Sequence, residues 1–129
     1  MENKELFIDL VKKLRTLNLS PEELSKRITK ALPLLYEEVL RDGRVYVIKR
    51  SGLLEEFVPR KLKNSLARAS DDSKNPLGEA ELNLIADEVC KKAIEKGKVF
   101  YSRNLRDLVL ELLYKYKYYG VYTAYKEHE

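Results

Sequence analysis

The sequence is poor in the residues on which most catalytic chemistry depends. Its 129 residues include one cysteine, Cys90, and one histidine, His128. One cysteine excludes a disulfide framework and a zinc site built from several cysteines. It also fits a reducing compartment. Cys90 follows Leu84, Ile85 and Val89 in an apolar helical pattern and reads as a small buried hydrophobe. His128 is the second-last residue, where chains fray, and reads as a solvated bystander. A Ser-His or Cys-His nucleophile therefore has no base. The five glycines, Gly43, Gly52, Gly78, Gly97 and Gly120, are too dispersed for a Walker loop or a dinucleotide fingerprint. No apolar run approaches the ~20 residues of a membrane helix. The first residues carry acids and no signal-peptide core, so a cytoplasmic protein is expected. The acidic pairs Asp71-Asp72 and Glu55-Glu56 read as solvated surface charge rather than as acid/base or metal pairs. These absences argue against an enzyme.

Hydrophobic residues make up 44% of the chain and charged residues 36%. That balance is globular rather than disordered. The net charge of +4 is mild. It suits a small anionic ligand and does not demand nucleic acid. At this length a core needs no covalent staple.

Leu6, Phe7, Leu10, Val11, Leu14 and Leu17 recur at helical spacing and predict a helix over 3–17. Ser20-Pro21-Glu22-Glu23 is a strong start for a second helix: a capping Ser, Pro in the first turn and Glu at the third position. Leu24, Ile28, Ala31 and Leu32 continue its face. Pro33 predicts a stop or kink near Leu32, with a restart over 34–40. Asp42-Gly43 is a break.

The period changes over 45–58. Val45-Tyr46-Val47-Ile48 predicts a strand, Ser51-Gly52 a turn, and 53–58 a returning strand. Pro59 suits the opening of a helix through Ala69. A polar loop follows over 71–78. Leu82, Ile85, Ala86, Val89 and Ala93 predict a long helix over 79–96, ended by Gly97. Residues 98–101 suggest a short strand, and Ser102 or Asn104 a cap for the next helix. The tail, 114–129, is expected to be a last helix after a bend.

Cations gather around the hairpin. Lys49 and Arg50 end its first strand, and Arg60 and Lys61 open the next helix. On residues alone, solvated cations capping a hairpin explain this. Successive strand residues point to opposite faces, so Lys49 and Arg50 share a ligand only if the strand ends there.

In order, Val47-Ile48-Lys49-Arg50-Ser51-Gly52, then Phe57, then Lys61-Leu62 resembles the opening of an ATP-cone domain. That is the regulatory nucleotide-binding module at the front of many ribonucleotide reductases and in the bacterial repressor of their genes. The long helix over 79–96, the strand at 99–101, the Ser-initiated leucine-rich helix and the closing Tyr125-Lys126 extend the resemblance over 45–128. It implies an α+β, mostly helical module with a small hairpin or three-stranded sheet, spanning 44–129, after an N-terminal helical extension at 1–43. It implies binding of ATP or dATP, with Mg2+, and transmission of that state to an oligomer or a regulated partner chain rather than catalysis. Carried over by position, Lys49, Arg50 and Lys61 contact phosphates, while Ser102 and Arg106 fall near base and sugar. Ser102 reads equally well as a helix cap, and Arg106 as a surface residue. Ser51 stands where the family usually has an acid, and Val58 where it has a capping Asp. Arg106 falls where the family varies, which leaves ATP against dATP open. The zinc ribbon of the repressor is excluded by the single cysteine.

Two further readings accompany this one. Tyr114, Tyr118, Tyr122 and Tyr125 share a helical face, suited to packing or to an oligomer contact, less so to stacking of nucleic-acid bases. The alternative function is a nucleotide-independent protein-interaction or DNA-binding regulator working through the N-terminal helices. Lys26, Arg27 and Lys30 fit DNA, but Glu22, Glu23, Glu37 and Glu38 dilute them.

Overall fold

A computed structural model describes residues 3–128, with side chains from Lys4 onward. The chain divides into two compact units, Met1–Val39 and Leu40–Glu129.

The first unit is two helices, α1 (Asn3–Thr16) and α2 (Pro21–Leu40, whose last residue belongs to the second unit). Ser20 caps α2: its Oγ accepts the backbone N–H of Glu23 at 3.2 Å, satisfying one of the orphan donors of the first turn. Of the stop or kink predicted near Leu32, the stop does not occur: α2 runs through Pro33. A mid-helix proline costs about 3 kcal/mol, but its flanks, Ala31, Leu32, Leu34 and Leu35, are good helix formers. None of the unit's residues with a described side chain is buried. Leu6, Phe7, Leu10, Leu34, Leu35 and Val39 are 46–72% exposed.

The second unit holds the core. Its elements are β1 (Tyr46–Ile48), β2 (Leu54–Glu56), α3 (Pro59–Asp71), α4 (Glu79–Lys96), β3 (Val99–Tyr101), α5 (Ser102–Lys115) and α6 (Tyr119–Glu127). Together with α1 and α2 they make the expected α+β, mostly helical fold. The sheet order is β2-β1-β3, with β1 antiparallel to β2 and parallel to β3. The helices bury their apolar stripes on one another. Leu66, Val89, Val109, Leu112 and Leu113 are fully buried. Each such side chain contributes roughly 1.5–3 kcal/mol relative to exposure. The polar loop after α3 is fastened by a buried polar residue, Ser70, whose Oγ accepts the Leu77 N–H at 2.7 Å. Among the described residues, no buried side-chain N or O lacks a partner.

Local chemistry sets the ends of these elements. The α4 boundaries match the expectation, and Gly97 ends the helix at φ +152°, a value that L side chains rarely adopt. The tail is not one helix: α5 ends at Lys115, and Lys117 adopts φ +64° before α6 begins. The four tyrosines therefore do not share one helical face. Tyr118, Tyr122 and Tyr125 pack on the core. Tyr114 is 60% exposed and meets Tyr119 and Tyr122 edge-on. Among the described residues, no helix is long and apolar enough to cross a membrane.

Candidate functional site

The turn after β1 resolves the geometry of the adjacent cations. Regular strand ends at Ile48. The Lys49 carbonyl accepts the Gly52 N–H at 2.8 Å, and the Lys49 N–H donates to the Leu53 carbonyl at 2.9 Å. This closes a tight turn with Gly52 at φ +89°, a value that favours glycine. Strand alternation no longer applies beyond Ile48, and Lys49 and Arg50 line the same cleft. From the other side Pro59 sits in the first turn of α3 and presets its φ. That start places Lys61 toward the hairpin. Val58, at the cap position, makes no side-chain cap.

Between hairpin, α3, the start of α5 and the end of α6 lies a cleft of about 570 Å³, within the rough 300–1,000 Å³ range of small-molecule sites. Lys49, Arg50, Lys61, Ser102 and Arg106 all line it. Arg60 does not. Val47, Phe57, Leu62 and Leu105 give it an apolar floor, and Phe57 is held edge-on to Phe100 at 5.5 Å.

Glu55 stands in the middle of the cations. Its Oε2 is 3.0 Å from Lys49 Nζ, and its Oε1 accepts from Lys61 Nζ. The lysine side chains are 55% and 68% exposed and Glu55 35%. The hydrogen bond from Lys61, then that from Lys49, holds the Glu55 carboxyl below its usual range. One carboxylate thus gathers two ammonium groups at one point, a geometry an incoming polyanion can take over.

Two expectations about single residues change. Ser102 is not a cap: Tyr101 holds the cap position, and Ser102 is the first residue of α5 with its side chain on the cleft. His128 is not a frayed bystander. It lines the cleft, its Nε2 lies 2.9 Å from Asp72 Oδ2, and its backbone N–H donates to the carbonyls of Ala124 and Tyr125.

Arg103 and Tyr125 complete the wall. Burial pushes the Tyr125 phenol up; a hydrogen bond with Ser65 and the nearby Arg106 charge oppose that. Arg106 also donates from Nη2 to the Lys126 carbonyl, tying the cleft side of α5 to the end of α6. Sequence reasoning misses Arg103. The signal that could have found it is adjacency, since it follows Ser102 in the first turn of α5.

Five cations, two carboxylates, two serine hydroxyls, a phenol and an apolar floor that includes Phe57 define a class of site: one suited to a phosphorylated ligand with a flat apolar part. The chain belongs to the ATP-cone family, whose domain matches residues 45–128. Domains of this family are nucleotide-binding allosteric regulatory modules, and in general bind ATP or dATP. No curated protein sequence matches the chain.

Proposed function

We propose that residues 44–129 bind ATP or dATP in this cleft and that occupancy changes how the chain associates with a regulated partner chain or with further copies of itself. One observation carries the reading: the five residues singled out by position, Lys49, Arg50, Lys61, Ser102 and Arg106, converge on one cleft of suitable volume. Lys49, Arg50 and Lys61 take the phosphates, helped by the positive end of α3. Ser102 and Arg106 face the sugar and base.

Magnesium fits as a passenger of the ligand. Among the described residues, no cluster of three or more His, Cys, Asp or Glu is placed to hold a metal ion, and Mg2+ is commonly held by substrate phosphates, waters and one or two carboxylates. Glu55 and Glu56 are the carboxylates within the cleft.

The role is sensing rather than turnover: the acid/base groups of the cleft are engaged, Glu55 with Lys49 and Lys61, Glu56 with Arg44, and the histidine with Asp72. A ligand that draws on Arg106 competes with its bond to the Lys126 carbonyl and so bears on α6. Coupling of this kind requires the ligand to prefer one arrangement over the other. The test is equilibrium binding of ATP and dATP with magnesium, alongside phosphate release. Saturable binding without turnover is expected. Turnover that disappears in Lys49→Ala would overturn the sensing role.

A further inference from the structure

We infer that the N-terminal unit is the surface by which this chain pairs with a second copy of itself. Its two helices have apolar stripes and no core: no residue of 4–39 is buried. Leu6, Phe7 and Leu10 on α1 and Ile28, Leu35 and Val39 on α2 stand 45–72% exposed. Helices this short gain most of their stability from packing an apolar face. A unit of 39 residues is below the size that holds a core unaided. These faces require a cover.

Charge selects the occupant. Residues 1–39 hold seven Lys or Arg and seven Asp or Glu, so the unit is neutral, whereas 40–129 holds eighteen and fourteen and carries the whole net charge of +4. A neutral surface does not select a polyanion such as DNA. On α1 the charge is skewed: Glu5 and Asp9, with Lys4 beside them, lie in its first half, and Lys12, Lys13 and Arg15 in its second. Two copies of α1 laid antiparallel across a two-fold axis set acids against bases at both ends. That is the self-complementarity an isologous interface needs. The size also suits. Helices of 14 and 20 residues are about 21 and 30 Å long and about 10 Å wide. Their corrugated faces approach the roughly 800 Å² per partner of a standard interface. Four such helices suffice for a bundle.

This inference stands on the N-terminal unit alone and does not depend on nucleotide binding. Its test is light scattering on the full chain over a wide dilution series, in the absence of nucleotide. A mass of twice 15.1 kDa, falling on dilution, is expected. Ile28→Glu with Leu35→Glu puts two charges on one exposed stripe and should yield the monomer mass, with helix content and the melting of the second unit retained. A chain that stays monomeric at all concentrations overturns the inference. So does association that survives the double substitution, since the contact then lies elsewhere, the tyrosines of α5 and α6 included. Should the double variant lose its helices, charge reversal decides. Lys12→Glu with Lys13→Glu should weaken pairing about tenfold, and adding Glu5→Lys with Asp9→Lys should restore it. Failure of the restoration overturns the two-fold arrangement.

Discussion

The two units of this chain use similar helices to opposite ends. The α4 and α5 helices bury five residues each, among them Val89 and Leu112 at 0% exposure, and form the centre of a core. The longer α2 buries none. All three carry apolar residues at helical spacing, α2 as clearly as α5, so the difference lies in what the stripe meets. In the second unit each stripe meets another helix or the sheet. In the first, Val11, Leu14, Leu24 and Leu32 reach only partial burial and no residue of 4–39 is fully covered. Amphipathicity states that a face wants burial, and only the packing shows where the burial comes from. Charge follows the same division: the neutral unit offers an apolar face, and the charged one a cationic cleft.

The largest effect that tests this contrast is a core truncation. Leu112→Ala should cost about 2–5 kcal/mol of stability and lower the melting temperature by many degrees. The same truncation at Leu34, 65% exposed, should change it by no more than about 0.5 kcal/mol. Comparable losses at both positions, measured by thermal unfolding, would show that the N-terminal unit has a core after all.

The next effect concerns the cleft. Lys49→Ala and Arg50→Ala should each weaken ATP or dATP binding by about 1.5–3 kcal/mol, the range for charge-assisted contacts, with the fold intact. A matched change at Arg60, which does not line the cleft, should have a smaller effect. Equal losses at all three positions, in a binding titration, would mean that net charge rather than the site holds the ligand.

Much of this is legible in the residues. Leu82, Ile85, Val89 and Ala93 locate α4, and Gly97 ends it, because burial and local backbone chemistry agree there. Lys49, Arg50 and Lys61 stand out through their order around a turn glycine and a helix-opening proline. Pro33 misleads as a stop signal because a local cost is outweighed by helix-forming neighbours on both sides. Ser102 misleads because a serine can serve as a cap or as the first helical residue, and β3 running directly into α5 decides between them. The tyrosine face fails at Lys117, whose positive φ no helical pattern announces. His128 is unreadable for a different reason. Its place on the cleft comes from α6 returning beside α3, and its partner Asp72 is far away in sequence.

The smallest effect is a pH dependence at Glu55. Its carboxyl is held below the usual range by Lys61 and then Lys49. The pairing therefore contributes stability that is fully present above the ordinary carboxylate range and is lost as pH falls through the depressed value. The melting difference between the wild type and Glu55→Gln should shrink toward zero as the buffer is taken from neutral to acid. A difference that grows on acidification would contradict the assigned pairing.

The central claim is that this cleft recognises an adenine nucleotide, and a thermal-shift titration of the full chain with ATP and dATP, magnesium present, tests it most directly. At a ligand concentration about 100 times the dissociation constant, binding should stabilise the folded state by about 2.7 kcal/mol, which for a chain of this size raises the melting temperature by several degrees. The rise should disappear in the Lys49→Ala, Arg50→Ala double variant. An unshifted melting temperature with both nucleotides at millimolar concentration would contradict the account.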